Sequence, residues 1–136
     1  MKETDWRTKL VRQYKDTRPE GFIWAMDAKF KSGFPDLYLI DRENGLGRHF
    51  ELKVFSSVSG TSLGTLKKFF APIQISVMKS INLAGGSAIG MALNKATLNV
   101  YLFDPVQDIM FIMNQDRFKH WWTVTCHSWL EAEMVS

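Results

Sequence analysis

The sequence predicts an α/β fold: a central mixed β-sheet flanked by helices, within one domain. Three observations predict it. The N-terminal stretch is amphipathic with helical spacing, two apolar runs follow that are joined by strong turn chemistry, and a proline-opened, glycine-closed helix pattern then leads into a small-residue strand. A chain of 136 residues with 46% hydrophobic residues is long enough for one sizeable core and too short for two.

Glu3 to Asp16 reads as a helix, because Trp6, Leu10 and Tyr14 recur every four residues on one face. Arg7, Lys9, Arg12 and Lys15 populate its other faces, and Arg18-Pro19-Glu20-Gly21 ends it. Phe22 to Ala28 is apolar and aromatic and reads as a first strand, followed by a basic turn from Lys29 to Gly33. Leu37-Tyr38-Leu39-Ile40 is a short apolar run of the kind that forms a buried strand. Arg42 to Gly47 contains Asn-Gly and leads to an alternating strand, His49 to Phe55, so the pair is expected to be an antiparallel hairpin.

Ser56 to Thr65 is rich in Ser, Thr and Gly and reads as a mobile loop. Pro72 then opens a helix through Ala84, with Ile73, Val77, Ile81 and Ala84 as its apolar stripe and Gly85-Gly86 as its stop. Ala88 to Leu93 is a strand, and strand-helix-strand implies a right-handed crossover onto a parallel neighbour. Thr97 to Phe103 is another strand, Asp104-Pro105 turns the chain, and Ile109 to Met113 adds a further one. Asn114 is placed to cap a last short helix carrying Phe118, Trp121 and Trp122.

Composition narrows the function classes. Lys and Arg total 17 against 14 for Asp and Glu, a mild net charge of +3 that permits a phosphate-bearing partner without requiring one. A single cysteine, Cys126, excludes an intramolecular disulfide and a Cys-rich zinc site, and points to a reducing cytoplasmic compartment. The N-terminus lacks the apolar core of a signal peptide, and no apolar run is long enough to span a bilayer.

The chemistry concentrates in Pro35-Asp36 and Glu51-Leu52-Lys53. On a strand, Glu51 and Lys53 share one side while Phe50, Leu52 and Val54 point to the other. Asp36 begins the partner strand of the hairpin, near Glu51. Two convergent carboxylates suit Mg²⁺, a hard cation that keeps waters and binds phosphate. An adjacent ammonium can orient or deprotonate the attacking water and stabilise charge building on phosphorus. Glu3 falls on the same stripe as Trp6 and Leu10, where a carboxylate needs a partner. Gln74, in the first turn of the second helix, is placed to reach the same site.

Gly33-Phe34-Pro35-Asp36-Leu37, Phe50-Glu51-Leu52-Lys53, Pro72-Ile73-Gln74 and Ala84-Gly85-Gly86, in this order and strand context, resemble the VRR-NUC nucleases of the PD-(D/E)xK superfamily. That family is similar to Holliday junction resolvases and is often phage-borne. The resemblance covers roughly Glu3 to Leu93 and implies a restriction-endonuclease-like core. It implies that Asp36, Glu51 and the Leu52 carbonyl ligate Mg²⁺, with Mn²⁺ able to substitute, and that Lys53 is the catalytic lysine. Glu3 matches the family's N-terminal helix glutamate and Gln74 its helix glutamine, giving both a place in the catalytic set and Glu3 one among the metal ligands. The segment from Val54 to Ala71 departs from the family's short basic loop in being longer and Ser/Gly-rich.

The expectation is therefore a single nuclease domain over 1–136, with a core of about residues 3–103 and a C-terminal extension over 104–136. Its activity would be Mg²⁺-dependent endonucleolytic hydrolysis of DNA, structure-selective for Holliday junctions or other branched DNA, in a cytoplasmic homodimer. Lys29, Lys31, Lys67 and Lys68 would contact the DNA backbone. Two alternatives stay open: a nicking or restriction-like nuclease on linear duplex, and a non-catalytic DNA-binding module on the same fold. Glu51 and Lys53 could also be a mere surface ion pair, worth little. His49 reads as a strand flank, His120 and His127 as solvated, and Trp121, Trp122 and Trp129 as core or dimer surface.

Overall fold

The computed structural model describes residues 1–26, 33–40 and 45–125. Expectations placed on Ala28, Lys29, Lys31, the turn residues 42–44, Cys126, His127 and Trp129 lie outside the described residues.

Helix α1 (Glu3–Thr17) forms where the four-residue spacing put it and buries Trp6, Leu10 and Tyr14. Its first turn is stabilised by Asp5, whose carboxylate accepts the Lys2 N–H at 3.2 Å. Strands β1 (Ile23–Ala25), β2 (Leu37–Ile40) and β3 (Gly47–Phe55) form an antiparallel meander, so the expected hairpin is present. Helices α2 (Leu63–Lys67) and α3 (Pro72–Leu83) carry the chain across to β4 (Ser87–Asn94), which lies parallel to β3. Strands β5 (Val100–Asp104) and β6 (Ile109–Met113) then return antiparallel. Among the described residues the result is one mixed sheet of six strands in the order β1-β2-β3-β4-β5-β6. No described helix is long and apolar enough to cross a membrane.

The two faces of the sheet have different cores because side chains alternate along each strand. On one face Leu37, Leu39, Phe50, Leu52, Ile89 and Met91 pack beneath α1. The same core takes Phe118 from α4 (Gln115–His120), capped by Asn114, and Trp121 and Trp122 from the single π-turn Trp121–Thr125 after it. The Trp122 indole N–H donates to the Leu10 carbonyl at 2.9 Å, and its ring lies 6.0 Å from Tyr14 and 5.3 Å from Phe50. Trp121 and Trp122 are therefore core, and residues 105–125 pack into the main body as a sixth strand and a helix. On the opposite face Leu66, Phe70 and Met78 from α2, its following turn and α3 cover Ala88, Ala92, Tyr101 and Phe103. Gly90 makes this possible: a Cβ there would sit 2.5 Å from the Phe70 ring.

Three expectations are corrected. Ser56 to Thr65 is not a loop throughout, because Ser62 caps α2 by accepting the Thr65 N–H, and Leu66 gives that helix a buried anchor. The preceding turn is tied down as well, with Asn94 donating to the Ser57 carbonyl and accepting its N–H. The fifth strand starts at Val100 and not at Thr97, because Leu98 turns the chain with φ +64°. The core-facing stripe of α3 is Met78, which is buried, with Ile75 and Ile81 partly buried; Ile73 is exposed.

Candidate active site

Register brings the two acids together. Leu37 pairs with Phe50, so one further step places Asp36 opposite Glu51. Glu51 has the parity of His49, which puts it on the face opposite the α1 core, and Asp36, just before β2, meets it at the strand edge. Splaying onto opposite faces, the arrangement that would have dissolved the site, does not occur. Asp36, Glu51 and Lys53 line one cavity of about 260 Å³ together with Leu52, Gln74 and, from α1, Glu3, Thr4 and Arg7. Every residue proposed from sequence for catalysis or metal binding thus borders the same space.

Each acid is held by a specific contact. Strand β2 begins only at Leu37, so beyond it the β3 edge has no ladder partner among the described residues. The Asp36 carboxylate takes that place, accepting the Leu52 N–H at 2.8 Å. The N–H and C=O of one strand residue point to the same edge, so the Leu52 carbonyl is directed to the Asp36 side. Glu51 is only 1% exposed, which removes the reading of Glu51 and Lys53 as a surface ion pair. Gln74 donates from Nε2 to Glu51 Oε1 at 3.0 Å and accepts the Ala71 N–H on its own Oε1 at 2.8 Å. One side chain therefore stabilises the start of α3 and orients the buried acid.

Gly33 docks the approach to Asp36 onto this helix. It has φ +74°, and a Cβ there would lie 2.7 Å from the Ile73 side chain and 2.9 Å from its backbone. Only glycine meets both demands.

The structure changes the roles of several other residues. Glu3 is exposed at the start of α1 and not part of its buried stripe, so the desolvation reasoning applied to it falls, although it still lines the cavity. Among the described residues no three His, Cys, Asp or Glu side chains converge on one ion position. The carboxylate donors brought together are two, Asp36 and Glu51, with Glu3 at the rim. Lys67 and Lys68 line a different cleft with Gly64, Phe70 and Lys79, and Lys67 is paired with Asp108 at 2.8 Å.

Sequence reasoning missed Arg7 and Thr4. The signal was available for Arg7, which lies four residues from Glu3 and therefore on the same helix face. Its guanidinium also donates to the Met26 carbonyl at 3.4 Å. His49 packs 4.7 Å from Tyr38 and 5.3 Å from Phe34, and burial lowers its imidazole pKa below the usual value. No protein-family model and no curated protein matches the chain.

Proposed function

We propose that this protein is a metal-dependent DNA endonuclease of the PD-(D/E)xK type, related to the VRR-NUC nucleases it resembles and selective for DNA structure. The observation that carries this reading is the one cavity in which Asp36, Glu51 and Lys53 meet from two paired strands, with Gln74 bonded to Glu51. The donor set is two carboxylates and a strand carbonyl from Leu52, all oxygen, which fits a hard divalent cation such as Mg²⁺. A divalent cation held by Asp36, Glu51 and the Leu52 carbonyl would supply water activation and charge neutralisation at the phosphate.

The chain's own groups do the rest. The Lys53 ammonium sits one strand step beyond Glu51 on the same face, where it orients the attacking water and stabilises the negative charge that grows on the phosphoryl oxygens. Arg7 adds a second cation on the α1 wall, suited to holding a neighbouring phosphate oxygen. Gln74 and the Leu52 N–H are positioning groups that keep the two acids aimed before substrate arrives. Water adds to phosphorus, the P–O bond to the leaving sugar oxygen breaks, and that oxygen takes a proton. As a homodimer the protein would carry two such sites and cut two strands.

The competing reading is a DNA-binding module without catalysis on the same fold. A panel of four-way junction, flap, single-stranded and plain duplex DNA with Mg²⁺, Mn²⁺ or Ca²⁺ separates the two. The nuclease reading expects cutting with Mg²⁺ and Mn²⁺, lost in Asp36→Asn. DNA binding with no cutting in any metal would establish the module instead.

A further inference from the structure

The acids do not stand alone on their face of the sheet. One row back along the strands, Trp24 pairs with Tyr38 and Tyr38 with His49, so three rings line up across β1, β2 and β3. Phe22 stacks on Trp24 with ring centres 6.4 Å apart and planes 8° from parallel, and meets Tyr38 edge-on at 6.0 Å. Phe34 stands edge-on to His49 at 5.3 Å. Together with Met26 these side chains line an open groove of about 650 Å³. Helices α2 and α3 cover β4 and β5 on this face, and among the described residues no helix lies over the groove. Phe22 is 47% and Trp24 59% exposed, the latter unlike Trp6, Trp121 and Trp122, which are buried.

We infer that this aromatic row is a stacking shelf for an unpaired nucleobase of the DNA strand whose phosphate lies at Asp36, Glu51 and Lys53. The inference rests on the nuclease reading and adds to it the substrate class: DNA with an unstacked base next to the cut. The argument is positional. His49 is two residues from Glu51 on the same face of β3, a step of about 7 Å along the strand, and Tyr38 is two residues from Asp36. That is the reach of a nucleotide from its phosphate to its base. The surface changes character over the same step, from acids and a lysine to bare rings, as a ligand with a charged end and a flat apolar end requires. Aromatic faces accept any base, so no hydrogen-bond readout is needed.

A second copy of the chain is the less suitable occupant. The edge strand beside the groove, β1, offers three residues for pairing among the described residues. The groove is lined by six residues, whereas a stable dimer interface draws on roughly 20–30 residues a side.

The test compares binding of a short oligothymidylate with that of an abasic oligonucleotide of equal length, which keeps the phosphates and lacks the bases. Fluorescence anisotropy is read in Ca²⁺ for the full chain and for Trp24→Ala and Trp24→Phe, with Trp emission and sedimentation followed alongside. The wild type should prefer the base-bearing strand about tenfold or more. Trp24→Ala should lose that preference without losing affinity for the abasic strand, and Trp24→Phe should keep most of it. Equal binding of the two strands by wild type overturns the shelf. So does a Trp24→Ala chain that keeps the preference, including one that has changed from dimer to monomer, which would assign the groove to a second copy. Cutting in Mg²⁺ is scored separately: cutting without base preference removes the shelf and leaves the nuclease. Base preference without cutting by wild type removes the nuclease and leaves the shelf as a nucleic-acid contact.

Discussion

Gln74→Glu puts the geometry of the site under direct load. The new side chain keeps an oxygen for the Ala71 N–H, so the start of α3 is retained, but it replaces the donor facing Glu51 Oε1 with a second carboxylate oxygen at about the same 3.0 Å. Two unit charges at that distance repel by about 5–6 kcal/mol at an effective dielectric of ~20, which is a ceiling. Protonating one carboxyl of ordinary acidity at about pH 7 costs about 4 kcal/mol, so the pair takes that cheaper route. The shared proton then makes a hydrogen bond that offsets part of this. The expected loss of stability is about 2–4 kcal/mol at neutral pH.

The penalty has a definite pH dependence. The carboxyl pKa is raised in the folded variant, so the variant is fully penalised above that value. It recovers about 1.4 kcal/mol for each pH unit descended towards the unfolded range. Urea denaturation of both proteins with chelator at about pH 7 and about pH 5.5 measures it. A variant as stable as wild type at neutral pH, or one whose deficit is the same at both pH values, would refute the contact between Gln74 and Glu51 as described.

Three further outcomes follow from the packing. Gly90→Ala forces a Cβ to within 2.5 Å of Phe70, whose ring is buried against Phe103 at 5.6 Å, and should cost about 1–3 kcal/mol in denaturant titration. Trp122→Phe removes the donor to Leu10 and part of a fully buried ring, for an expected loss of about 1–3 kcal/mol. For His49 the native imidazole resists protonation because it is buried, while the unfolded one titrates near 6.5. The unfolded chain binds more protons in the window below 6.5, so stability is full above it and declines as pH falls through it. Metal-free His49→Phe should show a shallower decline of melting temperature between about pH 7.5 and about pH 5.5 than wild type does. Parallel declines would contradict the burial of this ring.

Much of the site was legible because strand parity and hairpin register are short-range rules. Asn-Gly marked the hairpin, alternation put Glu51 and Lys53 on one side, and the partner strand could reach only Asp36 from that distance. Gln74 was legible as a first-turn residue, and its bond to Glu51 follows from where α3 begins. Long-range packing was less visible. Nothing local told that Leu66 would be buried and so turn a Ser/Gly-rich stretch into α2, nor that Lys67 would pair with Asp108. Periodicity placed Glu3 on the stripe of Trp6 and Leu10 but could not tell that the first residues of α1 are exposed. The C-terminal tryptophans were readable as apolar, while their seat under α1 depends on a contact 112 residues away along the chain.

The most direct measurement of the central claim is single-turnover DNA cleavage in Mg²⁺ by wild type, Asp36→Asn and Lys53→Met, each shown to be folded. The account predicts metal-dependent cutting by wild type, a loss of about 10²–10⁴-fold in Lys53→Met, and no measurable metal-dependent rate in Asp36→Asn. Equal rates in all three proteins, or no cutting of any DNA by wild type, would contradict it.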